Sequence, residues 1–368
     1  MATLQKNRTK TAKPQRSYLA FVLLPLILLA VYYIFCTNKH AADAVLAHFS
    51  LPVRRFLGKI TTLIPFSVAE IFYILLVIWA LFFIVRSVYV IIRSKNSRLK
   101  ALLKRIIILI LVPLYILAGY TWLWSVGYYG SDFSDKSGLV SGGVAYEDLV
   151  KVTTQFANLT NELSDKVARD ESGIFAEDMD AYFADAGKIY DGIKGEFEFL
   201  DGPIMRPKKV LFSKFMSTLG FTGFYFPFTG EANLNVDSPS CMIPSTIAHE
   251  LAHQKGIASE DEANFVAVAA CLKSGLTVYE YSGVLSGLSN LLNSLYTVDK
   301  NAWQDIFDSL SFGVRADFTY SSEYWRNYSS IVSDAAETFY DGYLRANNQQ
   351  LGIKSYGACT DLIVEYYK

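Results

Sequence analysis

The chain has 368 residues, 52% of them hydrophobic and 15% aromatic, which is too apolar for an ordinary soluble enzyme and typical of a protein with membrane segments. Its net charge of -1 hides an asymmetry: residues 1–128 hold 16 Lys and Arg against 2 Asp and Glu, whereas residues 129–368 hold 18 against 33. The acidic part lacks the basic surface that nucleic acids require, so we expect no nucleic-acid partner and predict a membrane anchor (1–128) joined to a second domain (129–368).

Three apolar stretches of the anchor are long enough to cross a bilayer. They lie at about residues 17–35, 68–92 and 106–124. A helix rises about 1.5 Å per residue, so each can span a hydrocarbon core about 30 Å thick. No small-x-small cleavage site follows Phe35, so the first stretch is predicted to be retained. We expect three transmembrane helices, with membrane lipid as their partner.

Basic residues predict the orientation of these helices. Residues 6–16 carry five Lys or Arg and residues 93–105 carry six, with no acidic residue in either segment. Such segments stay cytoplasmic, so we expect a multi-pass protein of the cell membrane with a cytoplasmic N-terminus and an extracytoplasmic C-terminal domain. The basic loop 37–66 is predicted to be an amphipathic segment at the interface, with one apolar side formed by Leu51, Val53, Phe56, Leu57 and Ile60.

The second domain is predicted to be mainly helical after a linker at residues 127–143. One stretch favours strands instead, since residues 221–228 and 231–236 flank Thr229 and Gly230 as in a hairpin. The fold class is therefore mostly α, with a small β-hairpin or sheet. Periodicity predicts helices near 146–168, 176–196, 206–218, 245–255, 260–274, 277–296, 301–310, 321–347 and 354–366.

The most informative motif is His249-Glu250-Leu251-Ala252-His253, an HExxH sequence. On a helix, positions i and i+4 share a face, so both imidazoles can bind one metal ion, here Zn²⁺. Glu250 lies beside the open coordination position, where a carboxylate can act as general base. The domain contains no other histidine.

A third zinc ligand must therefore be a carboxylate or a cysteine. Gly256 is expected to end the HExxH helix, and Ser259 with Glu262 forms the pattern of a capping box at the start of the next helix. This short return brings both Glu260 and Glu262 towards the histidines. Glu260 is favoured because Glu262 has the competing capping role, and Glu262 stays open as the alternative.

The segment Glu260-Asp261-Glu262-Ala263-Asn264 after HExxH resembles the ExxAN arrangement of glutamate-type zincins, which include membrane-embedded zinc proteases related to the CAAX prenyl protease. The resemblance implies a zincin-like fold, Glu260 as third ligand and Asn264 as a residue that supports the ligands. Only six residues separate His253 from Glu260, fewer than those families normally have.

The chain also resembles a bacterial membrane protein family, domain of unknown function 3810. The resemblance rests on the N-terminal spans, on residues 228–233 (FTGEAN), on the HELAHQ-G segment, on residues 343–347 (YLRAN) and on residues 355–357 (SYG).

Two further roles follow from what zincins need. Zincins pair an extended peptide with an edge strand, and residues 231–235 are the candidate, with Glu231 and Asn233 as substrate-binding residues; an ordinary hairpin arm is the alternative. A tyrosine can stabilise the oxyanion, and Tyr356 is preferred over Tyr343.

Together these features predict a membrane-anchored zinc metallopeptidase that hydrolyses a peptide or protein substrate at the outer membrane face. A non-catalytic, membrane-tethered zincin-like binding protein and a metal amidase acting on cell-wall peptide are the alternatives.

Overall fold

The computed structural model describes residues 14–95, 97–139, 142–349 and 356–368. Helices, with short 3₁₀ and π turns included, account for 72% of the described residues and are accompanied by one small three-stranded sheet, which confirms the mostly α prediction. The N-terminal helices are α1 (Pro14–Cys36), α2 (Lys39–Val45), α3 (Leu51–Thr61), α4 (Val68–Arg93) and α5 (Arg98–Leu123).

Two helices, α4 and α5, are long and apolar enough to cross a membrane, where three were expected. Only 11% of the most apolar window of each is buried inside the protein, so most of their side chains face outwards. In α1 the apolar part within the described residues is Ala20–Cys36, which is shorter.

The segment before α4 contains the amphipathic helix α3. In α3, Arg54, Gly58 and Thr61 are buried, while Phe56 and Ile60 are exposed. The hydroxyl of Thr61 donates to the carbonyl oxygen of Thr229 at 3.0 Å, so the polar side of α3 packs on the hairpin of the second domain. Of its predicted apolar side, Phe56 and Ile60 point away from the protein, whereas Leu51, Val53 and Leu57 are half-buried.

The second domain begins after a 3₁₀ turn at Ser125–Tyr129. Its elements are α6 (Phe133–Ser137), α7 (Tyr146–Ser164), α8 (Met179–Asp185), β1 (Lys208–Lys209), α9 (Ser213–Thr218), β2 (Gly223–Phe226), β3 (Glu231–Leu234), α10 (Ile243–Lys255), α11 (Glu260–Leu272), α12 (Thr277–Val298), α13 (Lys300–Asp308), α14 (Phe312–Tyr328), α15 (Ile331–Ala346) and α16 (Tyr356–Tyr367).

Three of the predicted helices are wrong in extent. The helix expected at 176–196 ends at Asp185 and continues as short 3₁₀ turns, in a stretch that contains three glycines. The one expected at 206–218 is β1 followed by the short α9. The one expected at 321–347 is divided at Ser329 and Ser330, because the Ser330 side chain accepts the backbone N–H of Ser333 and so begins α15.

The sheet has the order β1-β3-β2, with β3 parallel to β1 and antiparallel to β2. The predicted hairpin is confirmed, and Gly230 adopts the positive φ of 70° that its turn requires. The prediction that residues 231–235 form an edge strand is wrong, because β1 from an earlier part of the chain takes the outer position.

The core of the second domain lies around α12, which packs against α7, α10, α11 and α16. Small residues let these helices approach closely: a Cβ added to Gly283 of α12 would lie 2.3 Å from the Cβ of Cys271 in α11. This packing fixes α10 and α11, the two helices that carry the HExxH motif and the acidic residues after it.

Candidate functional site

Helix α10 carries the HExxH motif between the sheet and the helical core. Pro244 lies in its first turn, where a missing N–H costs nothing. Gly256 ends it with φ of 111°, which confirms the predicted glycine cap. Because the chain turns back immediately, α11 begins four residues later, at Glu260.

This return brings Glu260 to both histidines. Its Oε2 lies 3.2 Å from His249 Nε2 and its Oε1 lies 3.6 Å from His253 Nε2. One ligand atom from each of the three residues lies within 4.8 Å of the others. Zinc ligands at about 2.1 Å in a tetrahedron are roughly 3.4 Å apart, so the three side chains fit one ion after small shifts.

The two imidazoles differ in the hydrogen bonds and ring contacts that hold them in place. His253 Nδ1 lies 2.8 Å from the carbonyl oxygen of Ile257, so an Nδ1–H donates there and Nε2 remains free to bind a metal. The His253 ring also packs edge-on against Trp124, with ring centroids 5.3 Å apart. His249 Nδ1 is buried and has no hydrogen-bond partner among the described residues.

Glu250 is 4% exposed, and its Oε2 is buried with no partner in the described parts of the chain. Burial raises the pKa of Glu250 to about 8, against an opposing effect of His249. The carboxyl lies against β2, where a Cβ on Gly223 would be only 2.7 Å from Glu250 Oε1. An orphaned carboxyl oxygen beside the His249 imidazole fits a group that exchanges a proton with a reacting group.

Glu262 points away from the histidines. Its Oε1 accepts the backbone N–H of Phe133 at 2.7 Å, at the start of α6. Burial raises the pKa of Glu262 to about 7. The predicted capping box is wrong, because the Ser259 hydroxyl donates to Gln349 Oε1 at 3.3 Å and makes no cap bond to α11. Of the two candidate ligands, the structure brings Glu260 to the histidines.

A tyrosine from α15 completes the surroundings of Glu260. The Tyr340 hydroxyl donates to Glu260 Oε1 at 2.7 Å. Tyr343, one turn further along, stacks on Tyr340 and bonds to Tyr120 and to Trp124 Nε1, the latter at 3.1 Å. Tyr340 was not predicted as a site residue. The only signal for it in the sequence is that it lies three residues before Tyr343, on the same helix face. Tyr356 starts α16, and its side chain lies outside the described residues.

The predicted substrate-binding residues Glu231 and Asn233 lie on β3 and bond to the start of α4. Glu231 accepts the backbone N–H groups of Val68 and Ala69 at 3.2 and 3.0 Å, and Asn233 Oδ1 accepts the Ser67 hydroxyl at 2.7 Å. Both side chains are buried. A carboxylate at a helix N-terminus satisfies free N–H groups and opposes the positive end of the helix dipole. The FTGEAN segment therefore fastens the second domain to α4.

Asn264 lies one turn after Glu260 on α11 and is partly buried. Within the described ranges it makes no hydrogen bond to His249, His253 or Glu260. Its predicted support of the ligands stays a prediction.

A buried cation lies behind His253. Arg54 of α3 is 2% exposed, its Nη1 donates to the His253 carbonyl oxygen at 3.4 Å, and its guanidinium lies 5.2 Å from the Trp124 ring and 5.3 Å from the Tyr225 ring. Burial lowers the pKa of Arg54. The sequence places Arg54 in a basic interfacial loop, and no local signal indicates that it reaches the site.

A family model described as "Protein of unknown function (DUF3810)" matches residues 47–364. The chain belongs to this family. The matched range contains α4, α5 and every residue of the site described above. No curated protein and no solved structure matches the chain.

Proposed function

We propose that this protein is a membrane-anchored, zinc-dependent metallopeptidase. The observation that carries the proposal is the cluster of His249, His253 and Glu260 beside Glu250, whose buried Oε2 has no partner in the described parts of the chain. Two imidazoles and one carboxylate form a donor set that suits zinc and leaves a fourth position open. A non-catalytic zincin-like protein has no need of Glu250, whose burial without a partner costs free energy.

The residues of the site divide the chemistry between them. His249, His253 and Glu260 would hold the zinc, which when bound would supply Lewis acidity towards a substrate carbonyl group. Glu250 takes a proton from the attacking water and returns it to the leaving amine nitrogen. Tyr340 holds Glu260 in place through its hydroxyl, while the Nδ1 bond of His253 to Ile257 orients that imidazole.

The membrane arrangement belongs to the same proposal. We place α1 as a third transmembrane helix beside α4 and α5, because Trp122 Nε1 of α5 donates to the Leu28 carbonyl oxygen of α1 at 3.0 Å. The basic segments 6–16 and 93–105 put the N-terminus in the cytoplasm and the zincin-like domain outside.

The function is tested on the full chain purified in detergent. We expect about one zinc per chain by elemental analysis, and cleavage of a peptide library that a chelator abolishes and added zinc restores. The double variant His249→Ala/His253→Ala is the control and should lose both zinc and cleavage. Full zinc in that variant would place the metal elsewhere and overturn the proposal.

The orientation gives a separate prediction. A tag after Lys368 should be accessible from outside intact cells, whereas a tag inserted beside Ser97 should become accessible only after permeabilisation, because that loop carries the basic residues. The measurement is antibody binding before and after permeabilisation. If the Lys368 tag is reached only in permeabilised cells, the orientation is reversed.

A further inference from the structure

Six large apolar side chains are exposed around the start of α4, and together we call them the apolar collar. Leu63 and Phe66 lie in the turn before α4 and Leu211 lies in the turn before α9, with exposed fractions of 84%, 45% and 80%. So many exposed apolar side chains indicate a surface that contacts a partner or a lipid. The collar consists of Phe56, Leu63, Phe66, Leu211, Phe212 and Phe215.

Hydrogen bonds hold the collar beside the first turn of α4. The Glu70 carboxylate accepts the backbone N–H groups of Leu211 and Phe212 at 3.0 and 2.9 Å. Lys208, just before them, donates to the Thr61 carbonyl oxygen at 3.1 Å and so holds the end of α3. The collar therefore continues directly into α4, where Ile71, Ile74 and Leu75 are exposed as well.

The β2–β3 hairpin contacts α4 further along the helix than the collar does, beyond its first turn. Phe228 stacks on Phe72 with ring centroids 6.0 Å apart, and Phe226 lies 5.2 Å from the Tyr73 ring. A Cβ on Gly119 of α5 would lie 3.0 Å from the Phe228 ring, so that ring fits between the two helices. Tyr73 is five residues beyond the start of α4, which is roughly 8 Å at about 1.5 Å per residue.

The metal-binding cluster is attached to these same elements. Glu250 contacts Gly223 at the start of β2, and His253 packs on Trp124, the residue that follows α5. The site therefore lies beside the membrane face at which α4 begins and α5 ends.

We propose that the apolar collar is embedded in the lipid interface at this face, and that the site hydrolyses peptide segments lying next to the membrane. The second half rests on the proposed metallopeptidase function, whereas the first does not. Lipid is favoured over a second copy of the chain because the collar is continuous with the exposed apolar surface of α4.

Lipid contact is tested without reference to activity. A polarity-sensitive fluorophore is attached to Phe215→Cys or to the control Val298→Cys at the end of α12, positions with exposed fractions of 62% and 63%. Cys36→Ser serves as the background, because the other native cysteines are buried. The full chain is placed in phosphatidylcholine vesicles with or without spin-labelled lipid.

We expect spin-labelled lipid to quench the Phe215 probe strongly and the Val298 probe weakly, with aqueous iodide giving the reverse. Two results would overturn the proposal: iodide quenching of both probes alike, which means an exposed collar, or protection of the Phe215 probe from both quenchers, which means a protein interface. Glu250→Gln should leave the quenching unchanged, because it does not touch the collar.

The substrate half is tested with one peptide in two forms, free and lipid-anchored in the vesicles. We expect the anchored form to be cleaved about 10-fold faster or more, because anchoring raises its effective concentration at the site. Phe212→Ser/Phe215→Ser should reduce that preference while leaving cleavage of the free peptide unchanged. Equal rates on both forms would reject the membrane-adjacent substrate. No cleavage of either form, together with lipid quenching of the Phe215 probe, would reject the metallopeptidase function and leave the collar standing.

Discussion

Replacing Glu250 by glutamine is expected to reduce peptide hydrolysis by about 100-fold or more, the range for loss of a positioned acid–base group, while zinc stays bound. Glutamine has nearly the same shape as glutamate but cannot take a proton from water. The neighbouring ligands His249 and His253 are unchanged, and so is the helix that carries them. The measurements are kcat/KM on a library-derived peptide and zinc content of the same preparation.

Glu262→Gln is the matched control, because Glu262 is a half-buried glutamate near the start of α11 that bonds to Phe133 instead of facing the site. Its hydrolysis rate should stay close to that of the unaltered protein. Undiminished hydrolysis in Glu250→Gln would show that Glu250 is not the base. If both variants bind zinc and even the unaltered protein hydrolyses no peptide, the result favours the non-catalytic binding protein.

Glu260→Gln should instead release the metal. A neutral amide is a poor zinc ligand, and we expect affinity to fall by at least the roughly 10- to 100-fold that is typical when even a residue supporting the ligands is lost. The change also removes the charge that faces His249 and His253 across 3.2 and 3.6 Å. The measurement is zinc retained during titration with a chelator of known affinity.

The comparison with Glu262→Gln separates the two candidate ligands. Glu262→Gln should retain zinc as the unaltered protein does, since the amide oxygen can still accept the Phe133 N–H. If Glu262→Gln loses zinc and Glu260→Gln keeps it, the assignment of the third ligand is wrong by half a helical turn. Thermal unfolding of both variants shows whether a loss of zinc reflects a loss of fold.

Local patterns predicted the parts of the site that depend on local chemistry. The spacing of His249 and His253 predicted one helix with both imidazoles on a single face, and Gly256 predicted where that helix ends; the structure has both features. The hairpin around Thr229 and Gly230 was also predicted, because its turn chemistry is encoded within a few residues.

The errors concern contacts between distant parts of the chain. Glu231 reads as a polar residue on an outer strand, yet it binds the start of α4, 163 positions earlier than its own. Ser259 and Glu262 have the spacing of a capping box, but their side chains bond to Gln349 and to the Phe133 backbone instead. Tyr340 and Arg54 reach the site only through packing of α15 and α3, and no periodicity within either segment encodes that contact.

The helices before the site support it, so under the proposed function hydrolysis depends on the two long apolar helices α4 and α5. Trp124 backs His253, Glu70 holds the segment before α9, and Val68 supplies the N–H that Glu231 accepts. All three belong to parts of the chain that leave the ribosome before α10 does. The cluster is thus complete only when α10 and α11 pack on parts of α4 and α5 that are synthesised before them, and under the proposed function a chain without those two helices would lack a finished site.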